Sequence, residues 1–77
     1  MNAKRRKALE AIHSELEGIK ERLETIKDEE QEYFDNMPEG LQQGDKGQKA
    51  EEAAGNLTDA FDALENAVDA ISSAKED

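Results

Sequence analysis

The sequence contains no cysteine and no tryptophan, one proline, one histidine and only three aromatic residues, Tyr33, Phe34 and Phe61. Without cysteine there is no disulfide staple and no thiolate metal site. The lone histidine, His13, has Ser14 next to it on a different helix face, so the two form no nucleophile and base pair, and His13 reads as a half-exposed flank of an apolar seam. Carboxylate-bundle metal sites join Glu to His at i, i+3 and turn both inward, whereas Asp59, Asp62, Glu65 and Asp69 face outward with no histidine among them. A calcium loop, a glycine-rich loop with a phosphate lysine and a convincing strand are also missing, and the expectation is a protein that is not an enzyme and carries no metal or cofactor. Long apolar runs are absent, so no membrane span is expected. The basic start Lys4-Arg5-Arg6-Lys7 leads into Ala8-Leu9-Glu10 instead of an apolar stretch, unlike a secretory leader. Positive charge is scarce: 10 bases stand against 20 acids for a net charge of −10, a surface that repels phosphate and attracts cationic proteins. These features predict a cytoplasmic protein with no direct nucleic-acid contact.

What the chain does hold is an uninterrupted helical pattern on either side of one bend. Asp35-Asn36-Met37-Pro38-Glu39-Gly40-Leu41-Gln42-Gln43-Gly44-Asp45-Lys46-Gly47 contains the only proline and three of the five glycines. Before it, Leu9, Ile12, Leu16, Ile19, Leu23 and Ile26 alternate three and four residues apart, a heptad seam with leucine at a and isoleucine at d. After it, Ala50, Ala54, Leu57, Phe61, Leu64, Val68 and Ile71 repeat the alternation, and Ala53, Ala60, Ala67 and Ala74 add a third row. The fold class predicted is all-α: a single helical-hairpin domain over residues 1–77, with a helix over about 3–35 capped by Asn2, a bend over 36–44 and a helix over about 45–74. Pro38-Glu39-Gly40-Leu41 reads as one tight turn with Leu41 tucked over the bundle end, and Asp45 as the cap of the second helix, with Gln48 reaching back.

Only 77 residues make up the chain, and a domain this short buries a poor fraction of its surface. The apolar stripe of the second arm is too wide for one neighbour. A homodimer or a higher oligomer is therefore expected, in the dimer two hairpins forming an antiparallel four-helix bundle whose core is Leu9, Ile12, Leu16, Ile19, Leu23 and Ile26 with Leu57, Phe61, Leu64, Val68 and Ile71. Folding about residue 40 sets Ile26 level with Gly55, Ile19 with Asp62 and Ile12 with Asp69, and brings Lys4 to Lys7 beside Lys75-Glu76-Asp77 for charge compensation at the end of the second helix. On the first arm, Glu17 with Lys20 and Glu24 with Lys27 stand at pairing distance.

The segment from Asp28 to Glu39 is the most site-like. It carries six acids, Glu30 among them, and no base, interleaved with Tyr33, Phe34 and Met37. One reading is a bundle end that frays into water; the other is a partner-binding acidic face of Asp28, Glu29, Glu32 and Asp35 with Tyr33 and Phe34. Rows of outward acids at helical spacing approximate the charge spacing of a nucleic-acid strand, although plain solubility also accounts for them. A ligand site at the bend would use Tyr33, Asn36, Gln42 and Gln43 for stacking and base edges and Lys46 or Lys49 for phosphate.

Three blocks carry a resemblance: Arg5-Arg6-Lys7 with the Leu/Ile heptads, Glu29-Glu30-Gln31-Glu32-Tyr33 through Asp35-Asn36-Met37-Pro38-Glu39-Gly40-Leu41-Gln42, and Ala50-Glu51-Glu52-Ala53 through Asn56, Leu57 and Ala60. In these the chain resembles a family of short acidic helical proteins encoded in bacteriophages and prophages. That resemblance, to a family without a settled activity, implies a source, a phage-encoded protein of the host-cell cytosol, and not a mechanism, and it raises the reading of an inhibitor of host defence. Such an inhibitor would act either by mimicking nucleic acid on a host nucleic-acid enzyme or by sequestering a nucleotide immune signal between subunits; a structural or assembly scaffold needs the seam alone.

Overall fold

The computed structural model describes residues 1–76, and among these every regular element is helical. The first helix, α1, runs Ala3–Asp35; a single turn, α2, covers Glu39–Gln42; the second long helix, α3, runs Asp45–Glu76. Asn2 starts α1, its side-chain oxygen accepting from the Arg5 backbone N–H at 2.8 Å. The end of α1 follows from Pro38, which disfavours helical geometry at the residue before it. The Asn36 N–H closes the last turn on Glu32 O at 2.9 Å and the Met37 N–H bonds Phe34 O at 3.1 Å.

The bend holds itself by its own backbone. Leu41 and Gln42 both donate to Pro38 O, and Gln48 N–H bonds Gly44 O at 3.0 Å to open α3. Asp45 accordingly lies inside the first turn of α3, where its charge favours the positive helix end, rather than ahead of it as the cap. Leu41 is 51% exposed, so it does not tuck over the end of its own hairpin. A buried glycine, Gly47, explains how tightly the bend returns: a Cβ there would run into the backbone of Leu41 and Gln42.

The long helices lie antiparallel as a rod of 58 × 15 × 13 Å. Arg6 Nε donates to Lys75 O at 2.8 Å, tying the start of α1 to the end of α3 at the level expected from folding about residue 40. Asp77, part of the expected terminal turn, lies outside the described residues.

The interior is thin. Among the described residues the buried apolar ones are Ala50, Ala54 and Val68, and no large side chain is fully enclosed. Leu9, Leu16 and Leu23 of α1 and Leu57, Phe61, Leu64 and Ile71 of α3 are half-buried. Toward α3, α1 adds a row seven residues apart that is mostly polar: Arg6, His13, Lys20, Lys27 and Phe34, all half-buried. The ammonium groups of Lys20 and Lys27 each sit 5.5 Å from the centroid of the Phe61 ring, their aliphatic stems covering it. Lys20 also meets Glu17 at 3.9 Å, as expected, but Lys27 pairs with Asp28 at 3.2 Å and not with Glu24, because its head is drawn toward Phe61. The isoleucine row is left uncovered by its own chain: Ile12, Ile19 and Ile26 are 44%, 45% and 54% exposed.

Candidate functional site

Two faces of the rod differ in chemistry, and both follow from the heptads. On α1 the row facing α3 has the isoleucine row on one flank and Glu10, Glu17 and Glu24 on the other. On α3 the buried row of Gly47, Ala54 and Val68 has Leu57, Leu64 and Ile71 with the alanine ridge on one flank and Glu51, Glu65, Asp62 and Asp69 on the other. Tyr33, next in the isoleucine row, and Lys46, next in the alanine row, line one concavity, so the two apolar flanks share a side of the hairpin. The acidic flanks share the opposite side.

Charge is sorted by depth as well. Among the described residues every acid except Glu17 and Glu30 is exposed, whereas Arg6, Lys20, Lys27 and Lys75 are drawn part-way into the seam. Between Arg22 and Lys46 the one base is Lys27, and it is turned onto Phe61, so this stretch of surface is acidic throughout.

The expected partner-binding set divides between these faces. Asp28 and Asp35 stand with Glu21 on the outward acidic side, and Gln31 Nε2 donates to Asp35 at 3.0 Å, holding that carboxylate in place. Glu29 and Glu32 are exposed on the rim of the isoleucine row. Tyr33 is 46% exposed on the apolar side, while Phe34, one residue on, turns into the hairpin seam and is half-buried.

The expected bend ligands also separate. Tyr33, Asn36 and Lys46 come together with Met37, Pro38 and Leu41 around an open concavity of about 320 Å³. Gln42 is used otherwise: its Nε2 donates to Phe34 O at 3.0 Å and Asp35 O at 3.5 Å, latching the bend to the end of α1. Gln43 closes the α2 turn through its backbone N–H to Glu39 O at 3.3 Å, and Lys49 is exposed one turn further along α3. The lining contributed by Met37, Pro38 and Leu41 had one legible signal, a leucine isolated among polar residues at the bend.

Among the described residues no group of three or more His, Cys, Asp or Glu side chains is arranged to hold a metal ion, and no helix is long and apolar enough to cross a membrane. The chain was compared with protein-family models, with curated proteins and with solved structures, and no match was found in any of the three.

Proposed function

We propose that this is a non-enzymatic inhibitor of phage type, which pairs with a second copy through its apolar side. Its acidic side would dock on a basic nucleic-acid-binding groove of a host defence protein. The observation that carries the reading is the sorting of charge: nearly all acids exposed, four of the ten bases drawn part-way into the seam with none exposed between Arg22 and Lys46, and an apolar side left open opposite the acidic one. A row of three isoleucines and a tyrosine about half exposed in a chain this small is a face that needs covering. The hairpin side is 58 by 15 Å, close to the roughly 800 Å² per partner that a standard interface buries. Two hairpins joined there make an antiparallel four-helix bundle with acids on both outer sides.

For the docking face the sorting favours Glu21, Asp28 and Asp35 of α1 with Asp62, Glu65 and Asp69 of α3, all exposed. A groove built for phosphates has a positive potential that such a surface can exploit, giving fast association that salt weakens. The test is co-purification of the tagged protein from cells carrying defence systems, with mass spectrometry of bound protein and of small molecules. A nucleic-acid-acting host protein retained at low salt and released at high salt supports the inhibitor. Recovery of neither class of molecule argues for a scaffold.

One observation favours a second reading, a sponge for a nucleotide signal: the concavity at the bend joins an exposed phenol ring, an amide and the Lys46 ammonium. A nucleotide released from the purified protein only on denaturation would put this reading first.

A further inference from the structure

We infer that the two copies lie with their bends at the same end, so that the isoleucine row of one protomer rests on the alanine ridge of its partner. This rests on the pairing proposed above and adds its direction and register. Two face-to-face arrangements are compatible with two-fold symmetry. With the axis along the rod, α1 crosses onto the partner's α3 and the bends coincide. With the axis across the rod, α1 lies on the partner's α1 and the bends are at opposite ends.

Side-chain size favours the first. The axis along the rod keeps every residue at its own level, and that level is set within one hairpin by Arg6 against Lys75. Each isoleucine then meets an alanine of the partner, Ile19 near Ala60 and Ile12 near Ala67, and both alanines are exposed in the single hairpin. Large residues over small ones fill the gap evenly along the bundle. The opposite arrangement stacks isoleucine on isoleucine along one edge and alanine on alanine along the other, leaving the two edges at unequal spacings.

Charge points the same way. Glu29 and Glu32 stand on the rim of the isoleucine row, Lys46 continues the alanine row and Lys49 stands on its rim, all exposed and all toward the bend. With bends together the carboxylates of one copy face the ammonium groups of the other, twice by symmetry. With bends apart, Lys46 approaches the partner's end of α3, where Lys75 lies.

Because the chain has no cysteine, introduced thiols report this without interference. A disulfide needs Cβ atoms roughly 4 Å apart, which only facing rows achieve. Ile19→Cys protein mixed with Ala60→Cys protein and oxidised should give a covalent dimer on a non-reducing denaturing gel, and Ile19→Cys alone should not. Reversing Glu29 and Glu32 to Lys should weaken pairing severalfold at low salt, and adding Lys46→Glu and Lys49→Glu should restore it. Efficient cross-linking of Ile19→Cys with itself would overturn the arrangement and leave the dimer standing. A monomer by light scattering at the cross-linking concentration would overturn the dimer reading itself.

Discussion

Glycine makes the clearest contrast at the scale of single residues, because its effect changes sign along this chain. At Gly47 a methyl group has no room against the backbone of Leu41 and Gln42, neither of which can swing aside as a side chain would. Gly47→Ala should therefore destabilise the hairpin by about 1 to 3 kcal/mol through overpacking. At Gly18 and Gly55 the same methyl meets nothing within 4 Å, and both sites are helical. Alanine there should stabilise by about 0.5 to 1 kcal/mol, since it removes backbone freedom from the unfolded chain. Urea titration of the three variants checks both signs, and a stabilising Gly47→Ala would mean that the bend does not return as tightly as described. Gln42 is a second local determinant. Its amide spans from the bend to the Phe34 carbonyl, and Gln42→Leu should cost about 1 kcal/mol in the same titration.

For the helices, the informative variants lie on rows whose burial differs between one chain and two. Val68 is buried within the hairpin, whereas Ile19 is 45% exposed there. If a second copy covers the isoleucine row, Ile19→Ala should cost about 2 to 5 kcal/mol, in the range of a core truncation, and thermal melting of the wild type should rise with protein concentration. A loss at Ile19 of a few tenths of a kcal/mol would mean that the row faces water. The existence and ends of the two long helices were legible because the heptads run without a break and Asn2, Pro38 and the bend glycines mark the limits. Which flank of the leucine row meets α3 was not. An a/d seam looks the same to a mate in the same chain as to one in another. Here the mate sits on the side of Arg6, His13, Lys20, Lys27 and Phe34, where lysine stems do part of the packing that isoleucines would otherwise do. Polar residues at those positions concealed their role, just as Gly47 looked like loop punctuation and proved to be a point of close approach.

For the whole molecule, amphipathicity is the main structural fact: a thin rod with an open apolar side, an acidic side opposite it, and Arg6, Lys20, Lys27 and Lys75 drawn part-way between them. The candidate site was legible as an acidic segment with aromatics. Its division into an outward set with Asp28 and Asp35 and a rim set with Glu29 and Glu32 required the helices to be set against each other. Binding to a basic groove should weaken steeply with added salt, and Asp28→Asn with Asp35→Asn should slow association while leaving melting nearly unchanged, because both side chains are exposed. Surface plasmon resonance against the co-purified partner separates the two effects, and an unchanged association rate would remove those carboxylates from the docking face. All of this depends on the apolar side being occupied by a second copy, and the mass in solution tests that most directly. Light scattering at micromolar concentration should return twice the 8.6 kDa chain mass; a stable particle of a single chain mass would contradict the account.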